Sequence, residues 1–165
     1  MHGLVPLVLL VGCVAPEPVP LLNPDVLAMV DAEHDPLRAH RPTAIDCPPS
    51  AWGPEAGGFE VQTGVCDYAA FDQPLPVALE AGDELSILIW HDVLDAAEPA
   101  EAHLALTLGD AVVWEAAVTI PAASHSFEEV VEIGTEPPAD ARLGLHLHNH
   151  GYNSYRFFAV DAHLR

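Results

Sequence analysis

From about residue 45 onward the chain is a succession of short apolar segments broken by Gly, Asp and Pro, and no stretch of it competes with a long helical period. Successive side chains on a strand point to opposite faces, so segments of period two bury one face and leave the other free. Candidate strands are 59–63, 77–80, 84–91, 102–108, 111–120, 127–133, 141–150 and 155–164. Short strands at this spacing predict an all-β fold, an antiparallel β-sandwich of jelly-roll type.

The alternation also predicts register. In 102–108 the apolar set is Leu104, Leu106 and Leu108; in 111–120 it is Val112, Trp114, Ala116, Val118 and Ile120. Both sets are even-numbered, so a loop of Leu108, Gly109 and Asp110 pairs Leu106 with Val112, Leu104 with Trp114 and His103 with Glu115. The parity places Trp114 in the core. Toward the C-terminus, Leu143, Leu145 and Leu147 match Phe158, Val160 and Ala162 if a loop at 151–154 joins the last two strands as a hairpin. That pairing leaves Gly144, His146, His148, His150, Tyr155, Phe157, Asp161 and His163 on the face away from the leucines.

Histidine is the unusual component, ten in 165 residues. Residues two apart on a strand project from one face about 6.7 Å apart, close enough for neighbouring imidazoles to converge on one ion. The expected metal ligands are His91, His103, His146, His148 and His150, with Glu115, Tyr155, Phe157, Asp161 and His163 on or beside the same face. Neutral imidazole with a carboxylate nearby suits a divalent transition metal, zinc or copper above all. The alternative is a carbohydrate- or protein-binding face without a metal, using Tyr155 and Phe157 with Asn149, Tyr152 and Asn153; a third is a purely structural envelope protein. No Gly-rich phosphate loop, G-x-S-x-G or H-E-x-x-H occurs, and Ser124-His125-Ser126 reads as turn polarity, so no catalytic residue is assigned.

Residues 1–12 are apolar apart from His2, too short to span a bilayer as a helix, and lead into Leu10-Val11-Gly12-Cys13. This resembles the lipobox of bacterial lipoproteins, which implies cleavage before Cys13, lipid on that cysteine and a place in the cell envelope, anchored to a membrane. With Cys13 assigned to lipid, Cys47 and Cys66 remain as a pair expected to form a disulfide in an oxidising compartment. Nine of the sixteen prolines fall between Pro16 and Pro54, so 13–44 reads as a Pro-rich tether ahead of a domain at 45–165. Asn23-Pro24 within it suggests a short helix to about Glu33.

With 25 acidic residues against five arginines and no lysine, the net charge of -20 repels nucleic acid and anionic lipid surfaces and is compatible with cations. The segments Trp90-His91-Asp92-Val93-Leu94, Glu98-Pro99-Ala100-Glu101-Ala102-His103 and His146-Leu147-His148-Asn149-His150-Gly151 are similar to uncharacterised lipoproteins of the myxobacterial type over roughly 47–165. The resemblance brings no activity with it. It implies that His91, His103 and the His146 to His150 row form one functional unit.

Overall fold

A computed structural model describes residues 16–165, and the period-two segments become strands. In chain order these are β1 (Val19–Pro20), β2 (Ala28–Met29), β3 (Trp52–Glu55), β4 (Gly58–Gln62), β5 (Tyr68–Pro74), β6 (Glu84–His91), β7 (Ala100–Leu108), β8 (Ala111–Ile120), β9 (His125–Glu132), β10 (Arg142–His148) and β11 (Ser154–His163). They form two antiparallel sheets, a six-stranded one ordered β3-β4-β11-β6-β9 with β1 also on β11, and a five-stranded one ordered β2-β5-β10-β7-β8. The fold is an all-β antiparallel sandwich.

The core lies between the sheets. From the six-stranded sheet come Phe59, Val61, Leu85, Ile87, Ile89 and Val160; from the five-stranded sheet come Phe71, Leu104, Leu106, Leu108, Leu143, Leu145 and Leu147, all buried. Burying one such side chain contributes about 1.5–3 kcal/mol, so each strand has a strongly preferred face. Trp114 joins this core, as its parity requires, and its Nε1 donates to Glu129 Oε2 at 3.0 Å.

Two bulges change the expected pairings. The β7–β8 turn holds only Gly109 and Asp110, with Gly109 at φ +60°, and pairs Leu108 with Ala111 and Thr107 with Val112. A bulge between Leu106 and Thr107 then sets Leu106 opposite Trp114, Leu104 opposite Ala116 and His103 opposite Ala117. The extra residue restores even parity on both strands, but each expected partner is displaced by two. On β11, Tyr155 and Phe157 face inward and so do Val160 and Ala162, sets of opposite parity. A bulge between Phe157 and Ala159 in the pairing with β6 reconciles them.

The expected hairpin of the last two strands does not form. β10 is flanked by β5 and β7 in one sheet, and β11 by β4 and β6 in the other. Matching parity constrains which face is buried but not which strand is the partner. β5 escapes the alternation rule because Tyr68, Ala69, Ala70 and Phe71 are buried on both faces, and 77–80 forms no strand although Leu79 is buried.

The Pro-rich stretch is built into the sandwich from Val19 onward. β1 pairs with β11, Leu21 is buried, and β2 pairs with β5. No helix forms at 23–33; Asn23 Oδ1 instead accepts a bond from the Asp25 amide at 3.1 Å, an Asx turn that competes with helix initiation. The disulfide between Cys47 and Cys66 is present, tying the end of this stretch to the turn before β5. Cys13 and its leader lie outside the described residues.

Opening the loop closed by Cys47 and Cys66, 19 positions apart, by reduction or a double Cys→Ser exchange is expected to cost about 3 kcal/mol of stability. Urea unfolding with and without reductant measures it, and an unchanged midpoint would contradict that role.

Candidate functional site

The register that buries the leucines of β7 and β10 sends the intervening residues to the outer face of the five-stranded sheet. There His148 lies between Tyr68 and His103, His146 between Ala70 and Ala105, and Gly144 between Asp72 and Thr107. Gly144 packs closely here, since a Cβ there would clash with the Thr107 hydroxyl unless that side chain turned away.

Much of this face is roofed by residues 30–41. Asp35 organises the roof: its Oδ1 accepts the Leu37 amide at 2.9 Å, and its Oδ2 accepts both the Tyr68 hydroxyl and Arg41 Nη1, the latter at 3.0 Å. The Arg41 guanidinium stands 5.3 Å over the Tyr68 ring, and its Nη2 reaches Val30 O at 3.3 Å. Burial and the Asp35 carboxylate push the Tyr68 phenol well above its usual range, so it remains a donor. A 3₁₀ turn, Arg38–His40, then brings His40 against the sheet.

The result is a group of three imidazoles. Ring centroids are 4.7 Å apart for His40 and His103, 5.2 Å for His103 and His146, and 5.7 Å for His40 and His146; one nitrogen from each lies within 4.8 Å of the others. His146 is 3% exposed, and neither of its ring nitrogens has a hydrogen-bond partner. Buried polar atoms rarely lack partners, so two orphaned nitrogens on one ring call for an explanation. On His103, Nε2 is bonded to Glu115 Oε2 at 3.2 Å and Nδ1 is buried without a partner. Donation to the carboxylate fixes the tautomer in which Nδ1 carries a free lone pair.

These donors fit a divalent transition metal. Ligands on a tetrahedral ion at about 2.0–2.1 Å stand roughly 3.4 Å apart, so the three nitrogens would have to close in from their present separation of up to 4.8 Å. Burial, with the neighbouring His103 second, takes the His146 pKa down to about 3, which keeps the ring neutral as coordination demands. A cavity of about 410 Å³ opens beside the group, lined in part by Val30, Asp35, Ala70, Asp72, Gly144 and His146.

Of the five expected ligands, the structure brings His103 and His146 together and sets His148 opposite His103. His150 is exposed, its ring 4.6 Å from that of His148. His91 belongs elsewhere: it lies on β6 in the other sheet, is 1% exposed and packs on Tyr155 and Phe127, with Nδ1 bonded to Asp92 O. His91 and His103 therefore do not meet across the intervening loop. Tyr155 and Phe157 are core residues rather than part of a ligand face. Asp161 and His163 sit on β11 in the six-stranded sheet, His163 bonded to Ser86 Oγ at 3.1 Å. Glu115 is placed to orient His103, while Ser126 and His125 lie in β9 instead of a turn.

His40 lies outside the strand pattern. It stands 63 positions before its nearest partner in the chain, in a stretch whose prolines read as spacer, and no period-two signal reaches it.

No protein-family model matches the chain, and neither does any curated protein. Among solved structures, one described as "CBM4 structure and function" aligns over 88% of this chain and 94% of its own, at 17% identity and a TM-score of 0.47. Another, "Family 16 Carbohydrate Binding Module-2", aligns over 72% of this chain and 84% of its own, at 12% identity and a TM-score of 0.37. Nothing about the site transfers from these structures.

The low pKa of His146 has a signed consequence for the metal-free protein. Between about 3 and 6.5 the unfolded chain binds a proton that the folded His146 refuses, so stability present above pH 6.5 is lost as the pH falls through this window. The slope reaches up to about 1.4 kcal/mol per pH unit. Urea unfolding of metal-free protein from pH 7 to 4 should show it, with a flatter profile for His146→Gln; identical profiles would refute the assignment.

Proposed function

We propose that this domain is a metal-binding β-sandwich of the cell envelope, holding one divalent transition-metal ion, zinc or copper, through His40, His103 and His146. The observation that carries this reading is the buried His146 ring with two unpartnered nitrogens beside two further imidazoles. Three imidazole nitrogen donors and no thiolate suit zinc or copper, and the fourth position would be left to water or a ligand. Glu115 supplies the outer carboxylate that typically orients a ligating histidine. The disulfide supports an oxidising compartment, and Leu10-Val11-Gly12-Cys13 supports attachment there through lipid on Cys13.

Elemental analysis of natively purified protein tests the reading, and one equivalent of metal is expected. His146→Ala or His103→Ala should abolish tight binding, while Glu115→Gln should weaken it about 10–100-fold. Free zinc at about a hundred times its Kd should stabilise the wild type by roughly 2.7 kcal/mol. Metal-free protein with no thermal response to zinc or copper would end the proposal.

A second reading, glycan binding without a metal, is favoured by one observation on the opposite side of the molecule. On the outer face of the six-stranded sheet, the partly exposed Trp90 lies opposite Arg156, whose guanidinium is 5.4 Å from the indole, and Arg156 in turn pairs with Glu60 at 3.2 Å. The guanidinium lies over the indole, so the patch joins an aromatic ring to charged groups of the kind that hydrogen-bond hydroxyls. Polysaccharide retention that survives chelator and is lost in Trp90→Ala would support it.

A further inference from the structure

The three-histidine group accounts for only two of the imidazoles on this face of β10 and its neighbours. His148 and His150 remain, and the chain invests structure in placing them. His148 follows His146 by two residues on β10, about 6.7 Å along the strand, and stands directly opposite His103. Tyr68 sets its ring edge-on to both His146 and His148, at 5.2 Å and 5.5 Å. Beyond the strand end, Asn149 is 1% exposed and works as an anchor. Its amide nitrogen bonds to Asp67 O at 2.9 Å, its Nδ2 donates to Gly151 O at 2.5 Å, and its Oδ1 accepts the Tyr155 hydroxyl at 3.3 Å. That buried clasp turns the loop so that the exposed His150 ring returns to within 4.6 Å of His148.

We propose that His148, half-buried, and His150, exposed, form a second metal station that captures ions from solvent and passes them to the three-histidine group, of which only His146 is fully buried. The inference rests on the triad reading and assigns these two histidines a different task. Two imidazoles leave most of a first coordination sphere to water, so the station binds more weakly and releases faster than three converging ligands. His103 borders both groups, opposite His148 in register and 5.2 Å from His146, so an ion can exchange one ligand at a time. An ion held one strand repeat from the triad is present there at a high effective concentration. The net charge of -20 draws cations to the surface in the first place.

Cobalt(II) serves as the probe, since its visible absorption reports coordination. Titration of the full chain should give one tight equivalent and one weaker one, and stopped-flow mixing should show the tight site filling. His150→Ala, an exposed position checked by circular dichroism, should remove the weak equivalent and slow filling of the tight site about tenfold while leaving its affinity unchanged. His146→Ala should do the reverse, keeping the weak equivalent alone. A single class of site with filling unchanged in His150→Ala overturns the station and leaves the triad standing. Failure of the wild type to bind cobalt tightly overturns both.

Discussion

The leucine stripes of β7 and β10 set everything else. Leu104, Leu106 and Leu108 lie against Leu143, Leu145 and Leu147 on the inner side of the five-stranded sheet, all essentially inaccessible to water. With a side-chain period of two, burying these six fixes the other face without further choice, and that face carries His103, His146 and His148. The imidazole cluster is thus a by-product of hydrophobic registry. Shifting either strand by one residue would exchange leucines for histidines in the core, at a cost no local interaction could offset.

A sheet face left to solvent would be an ordinary surface. Here residues 30–41 fold over it and make part of it interior, which explains why the start of β5 is buried on both sides and why His146 loses contact with water. Asp35 is the key to this roof, because a single carboxylate collects Tyr68 from the sheet, Arg41 from the chain's return and a backbone amide from the turn between them. Charge-assisted bonds of this kind are among the stronger ones available to a protein. In a chain so poor in cations, committing one of five arginines to this contact indicates how much of the arrangement depends on it.

The fold was legible in the sequence because burial of one face per strand is a local signal. The bounds 84–91 and 111–120 were readable outright, and Trp114 followed from parity. Pairing was less legible, since bulges at Leu106 and beside Phe158 add single residues that the apolar pattern does not announce, and since parity does not name a partner. The site was half visible. His103 and His146 follow from strand periodicity, while His91, though near His103 along the chain, belongs to the other sheet. His40 could not be reached this way, because it arrives by tertiary packing of an irregular segment whose prolines suggested separation from the domain.

The bulge on β11 bears on how related chains should be aligned. Tyr155 and Phe157 face inward on one phase of the strand, Val160 and Ala162 on the other, and the residue between them absorbs the mismatch. Deleting that one position would evert half the strand, whereas the surface loops can lengthen or shorten freely. A homologue compared under a uniform alternation would be read one residue out of step at its C-terminal end, so the extra mid-strand residue has to be carried as an insertion when distant chains of this architecture are aligned.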